Sequence, residues 1–169
     1  MIRIITQAIL LILIQALIFD KLIIGGCAMA HIFLYTIIAM PVTLNDNIRL
    51  TIAFLSGLAI DILANTQGLN ALCCTLTIAI QRPIFHLYVN REEDLGGASP
   101  SSQSMGLPAF IKYALSIALI YTILYHSIET FSLHNYSRML LRIATGTIYT
   151  LTIIIATDTI LTHRRRAKN

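Results

Sequence analysis

The fold class this sequence predicts is all-α: one polytopic membrane bundle of six transmembrane helices over residues 1–169. Three observations carry the prediction. Charged residues make up 12% of the chain, half the share of about 25% found in soluble domains. The mean hydropathy is +0.75. The apolar residues, 56% of the total, fall in long continuous blocks. In hydrocarbon only helices and closed barrels satisfy their backbone groups. A barrel strand would show about ten residues of alternating polarity, so continuous apolar blocks are read as helices.

Six blocks follow one another, each close to the ~20 residues that cross a bilayer. The first, Ile4–Phe19, is broken by Thr6 and Gln15 and ended by Asp20-Lys21. The second, Ala28–Leu44, carries Pro41 near its end, and the polar turn NDNIR (45–49) follows. The third is Ile48–Ala64, after which NTQG (65–68) turns the chain. The fourth is Leu69–Ile80, closed by QRP (81–83), although apolar residues continue to Val89. Residues 90–108, rich in Gly, Ser and Pro, read as a cytoplasmic loop. Ala109–Ile128 and Leu140–Leu161 are the fifth and sixth blocks, and a basic tail, THRRRAKN (162–169), ends the chain.

Orientation follows from the distribution of Lys and Arg. Six spans place both termini on one side. With that side cytoplasmic, nine basic residues lie inside and three, Lys21, Arg138 and Arg142, lie outside. The net charge of +4 is therefore read as cytoplasmic loops and tail, not as a nucleic-acid surface. Arg164, Arg165, Arg166 and Lys168 are expected to fix topology and to anchor the tail on anionic lipid, at about 1 kcal/mol per basic residue. The stretch IIGGC before Cys27 has the look of a lipoprotein cleavage box. Asp20 and Lys21 interrupt the apolar run ahead of it, which argues against cleavage.

The third block holds the most informative pattern. Residues four apart share a helix face, and steps of four from Arg49 give Ala53, Gly57, Asp61 and Asn65. This stripe is small or polar, whereas Leu55, Leu58, Ile60, Ile62 and Leu63 are bulky and apolar. Small residues let two helices approach closely where lipid gives no hydrophobic drive to associate. The stripe is therefore expected to face protein. Asp61 would lie about 18 Å above Arg49, where an unpaired acid costs roughly 2.5–3.5 kcal/mol on insertion scales. Arg142 is the expected ion-pair partner and His126 the second candidate. A structural clasp or partner contact is favoured over a transport site, because a relay needs a chain of ionisable groups. Asp158, near the inner end of the sixth block, is expected to snorkel outward.

Other chemistry is thinly represented. The five histidines are scattered without metal-ligand spacing. Cys73 and Cys74 read as small packing residues. Ser56 has no nucleophile-elbow context, and no phosphate-cradling glycine motif is present. The threonines of the sixth block are expected to bond their own helix or a neighbour. No enzyme activity and no cofactor is expected.

A proline-ended second block, a short basic turn, then G-x-x-x-D followed by a glycine turn resembles the MreD family of rod shape-determining membrane proteins. The residues that carry the resemblance are Pro41, Gly57, Asp61 and Gly68. The length, the block count and the basic tail match over nearly the whole chain. The loop 90–108 is longer than is usual in that family. The resemblance implies a non-enzymatic subunit of the bacterial elongation machinery in the inner membrane. Such a subunit binds MreC and, with MreB, RodA and a penicillin-binding transpeptidase, helps control cell shape and lateral peptidoglycan synthesis. It also implies a fold like the membrane subunits of energy-coupling-factor vitamin transporters. Two other readings are a vitamin-type binding subunit, with Asn65, Gln67 and Asn70 as polar lining, and an intramembrane redox enzyme using Cys73 and Cys74.

Overall fold

The computed structural model describes residues 2–15, 30–89, 99–129 and 136–166, and their regular structure is entirely helical. In chain order the helices are α1 (Ile2–Ile14), α2 (Leu34–Ile38), α3 (Asp46–Ala64), α4 (Leu69–Tyr88), α5 (Ser102–Met105), α6 (Leu107–Glu129) and α7 (Tyr136–Arg166). Among the described residues three are long and apolar enough to cross a membrane: α3, α6, and the Met139–Leu161 stretch of α7. The chain is thus a membrane protein by the length and composition of these helices.

The second expected span is where the structure departs most from the sequence reading. Residues 30–44 do not form one long helix. They contain only the five-residue α2, with Pro41 buried just beyond it. Proline brings no amide to a helix and disfavours helical backbone in the residue before it. The apolar content of this segment reflects burial inside protein, not length: Phe33, Leu34, Ile37, Ile38 and Met40 are all at or near zero exposure. The expected loop 90–108 also gains structure, since α5 lies within it and α6 begins at Leu107. Asp20, Lys21, Cys27, His134 and residues 90–98 lie outside the described residues.

α3 packs on α4, α4 on α6, and α6 on α7, while α2 sits among α1, α4, α6 and α7. The core joins the α2 segment to Phe85 of α4 and to Phe110, Tyr113, Ile117 and Tyr121 of α6. Facing outward are Phe54, Leu55, Ile62 and Leu63 of α3 and Leu140, Ile148 and Ile160 of α7. In a bilayer such apolar surface is at no disadvantage, because acyl chains are as apolar as leucine.

Candidate functional site

The α3–α4 hairpin begins with a close approach at Gly57. A side-chain carbon placed on Gly57 would lie 2.6 Å from the Cα of Ala71 and 2.6 Å from the carbonyl oxygen of Asn70. Both atoms are backbone, so neither can swing aside. Glycine is required here by space. One turn before it, Ala53 is fully buried.

One turn further on, α3 ends through Asp61. The Asp61 carbonyl accepts the amide of Asn65, the C-cap residue, and that of Thr66 at 2.9 Å. Asn65 is left-handed, with φ of 55°, and its side chain is exposed. The expected stripe therefore stops at Asp61. Asn65 has left the helix, so the four-residue repeat no longer sets its direction. Gly68 is left-handed too, with φ of 78° and open space around its Cα. It is glycine for its backbone angle, not for packing.

As N-cap of α4, Gly68 has no side chain to offer the first-turn amides, which lack partners inside any helix. Asp61 supplies the cap from the neighbouring helix. Its Oδ1 accepts the Asn70 amide at 3.0 Å and the Asn70 side-chain amide at 2.9 Å. The Thr66 hydroxyl also donates to Oδ1. Oδ2 accepts the Ala71 amide at 2.8 Å. The positive end of the α4 dipole thus faces a carboxylate that is 3% exposed. Helix-terminal charge interactions of this kind are worth up to ~2 kcal/mol when partly buried.

The expected ion pair with Arg142 is not formed. Arg142 is exposed on α7, and its charge acts on Glu129. His126 is likewise engaged with Glu129, at 3.1 Å. The sequence reading sought a cation for Asp61, whereas the oriented amides of α4 and the side chains of Asn70 and Thr66 surround it.

Asn70 extends this clasp to a third helix, accepting the Tyr121 hydroxyl of α6 at 2.6 Å. Tyr121 in turn stands edge-on to His31, their ring centres 5.0 Å apart, and to Phe33 at 5.7 Å. Asp61, Asn70, Tyr121 and the α2 segment therefore form a continuous interior network.

Buried irregular backbone needs partners for its polar groups, and around α2 side chains from other helices supply them. Gln15 donates to the Ala30 carbonyl at 3.0 Å and accepts the Ile32 amide at 2.9 Å. Thr150 of α7 accepts the His31 amide at 3.2 Å. Gln81 of α4 donates to the Ile37 carbonyl at 2.9 Å and to the Tyr113 hydroxyl at 2.6 Å. The Tyr113 hydroxyl donates in turn to the Ile38 carbonyl at 3.2 Å. The Gln81 oxygen accepts from buried Arg49, which also pairs with Asp46 at 2.7 Å. Arg82 joins Asp46 at 3.0 Å and donates to the Val42 carbonyl at 2.7 Å, just past Pro41.

Asp158 does not snorkel. It is buried, accepting from Tyr35 at 3.0 Å and from the Ser102 amide at 3.1 Å, so it pins the α5 segment to α7. Cys73 and Cys74 are buried free thiols on α4. Most threonines of α7 bond their own helix four residues back, as at Thr152 with the Ile148 carbonyl at 2.8 Å. Arg164, Arg165 and Arg166 end α7, and their side chains and Lys168 lie outside the described residues. Gln15, Asn70, Gln81, Tyr113, Tyr121 and Thr150 were not singled out as a network by sequence reasoning. The available signal was a polar group inside an apolar block.

No family model, no curated protein and no solved structure matches this chain.

Proposed function

We propose that the chain is a non-enzymatic membrane scaffold subunit of the bacterial elongation machinery. On this reading it lies in the inner membrane with both termini cytoplasmic and binds MreC. Together with MreB, RodA and a penicillin-binding transpeptidase it supports cell shape and lateral peptidoglycan synthesis. The bundle is then a six-segment one, akin to energy-coupling-factor membrane subunits, whose second segment is short and enclosed. Its basic tail rests on anionic lipid.

One observation carries the reading: the residues behind the MreD resemblance have architectural positions. Gly57 sets the helix spacing, Asp61 caps α4, Gly68 makes the turn, and Pro41 lies just beyond α2. A scaffold needs a surface of fixed shape. A hairpin whose acid is engaged internally holds Phe54, Leu55, Ile62 and Leu63 in fixed positions on its outer face.

Purification of the full chain from membranes of rod-shaped cells, followed by mass spectrometry, tests the reading. The expected result is co-purification of MreC, and depletion of the chain is expected to round the cells. Normal shape after depletion would remove the proposal. Tight binding of a vitamin by the purified chain would favour the transporter reading instead.

A further inference from the structure

His31 stands just ahead of α2, outside the three helices long enough to span. It is 5% exposed, and the Thr150 hydroxyl of α7 holds its amide at 3.2 Å. Aromatic rings box its imidazole. The centres of Tyr121 and Tyr125 of α6 lie 5.0 and 5.1 Å away, and that of Phe33 lies 6.1 Å away. Nε2 is buried and has no hydrogen-bond partner among the described residues. For a neutral imidazole this forfeits one bond. An imidazolium carries a proton on both nitrogens, so in the same place it would bury an unpaired N–H together with a charge. Burial accordingly lowers the His31 pKa to about 4, with His126 acting in the same direction and Glu129 against it.

The titratable groups that face His31 are Tyr121, Tyr125, His126 and Glu129, all on α6. Behind them, Cys73 and Cys74 of α4 and Asp61 of α3 act on Tyr121, and Arg142 of α7 acts on Glu129. Glu129 is the acid whose charge favours a protonated His31. It ends α6, and its side chain is 40% exposed. A protonated His31 therefore has no acceptor inside the ring box and a carboxylate toward the end of α6. We propose that His31 is the trigger of an acid-sensitive latch: on protonation its ring leaves the Phe33–Tyr121–Tyr125 box toward Glu129, and the segment leading into α2 loosens from α6 and α7. A solvated histidine titrates near 6.5. Between that value and about 4 the opened state takes a proton that the closed state refuses. The closed state is thus fully favoured above pH 6.5 and loses ground as pH falls below it.

Amide hydrogen exchange of the full chain in detergent tests this at neutral pH and near pH 5, each rate being divided by that of the unfolded chain at the same pH. Residues 31–36 are expected to lose protection about ten-fold or more at the lower pH, while α4 keeps its own. His31→Phe keeps a ring and cannot take the proton, so its protection should be equal at both pH values. If His31→Phe does not fold, His31→Gln takes its place. Glu129→Gln removes the carboxylate that receives the imidazolium and is expected to move the response to lower pH. Equal protection of residues 31–36 at both pH values in the wild-type chain overturns the proposal. So does an acid response that survives in the His31 variants or is unmoved by Glu129→Gln. A loss of protection shared equally by α4 would mean global unfolding in acid and also overturn it.

Discussion

Asp61 of α3 accepts the backbone amide of Ala71 of α4 at 2.8 Å, one helical turn from where the Cα of Ala71 fills the space above Gly57. The two contacts depend on each other. The close approach at Gly57 brings the first turn of α4 within reach of the carboxylate, and the carboxylate satisfies amides that the close approach removes from solvent.

Gly57→Ala is expected to destabilise the folded chain by about 1–3 kcal/mol, the usual range for forcing extra volume into a packed interior. Gly57→Leu should cost more. Unfolding in mixed detergent micelles measures both. An unchanged midpoint for Gly57→Leu would show that the two helices do not meet there.

At position 61 the size of the loss should depend on what replaces the acid. Asp61→Asn keeps one acceptor oxygen for the α4 amides and is expected to cost about 1–2 kcal/mol. Asp61→Leu leaves the Asn70 and Ala71 amides buried without partners, and about 3 kcal/mol or more is expected. Equal losses in an unfolding titration would mean that the charge, not the capping geometry, matters.

Arg142→Ala separates the structural clasp from the ion pair that sequence alone suggests. Arg142 is exposed and makes no contact with Asp61, so its removal should leave the unfolding midpoint of the wild-type chain unchanged. A loss as large as that of Asp61→Leu would restore the ion pair.

Gln81→Leu should be among the most damaging substitutions. It removes the donor to Ile37 and Tyr113 and leaves Arg49 buried with fewer partners. Breaking a buried charged network by deleting one partner typically costs about 3–5 kcal/mol. Loss of folded protein in membranes, read by protease resistance, checks this. Tyr121→Phe is the milder counterpart, at about 1–3 kcal/mol for an unpaired Asn70 oxygen.

The membrane class, the α3–α4 turn and the inward face of Ala53, Gly57 and Asp61 are legible in the sequence because each is local. Block length and a four-residue repeat suffice to find them. The short α2 is not legible, because an apolar run looks the same whether lipid or protein encloses it. The distinguishing residues, Gln15, Gln81 and Thr150, lie on three other segments and meet only in the fold. The partner of Asp61 is hidden in the sequence for a related reason. A search along the sequence for an opposite charge does not find backbone amides, and the end of α4 that provides them is marked by nothing more than the glycine turn.

Amide hydrogen exchange at Asn70 and Ala71 tests the clasp most directly, because first-turn amides have no acceptor within their own helix. Slow exchange at both positions is predicted for the wild-type chain, matching the interior of α4, with protection lost in Asp61→Ala while the rest of α4 stays protected. Fast exchange at these two amides in the wild-type chain, or protection that survives Asp61→Ala, would contradict the account.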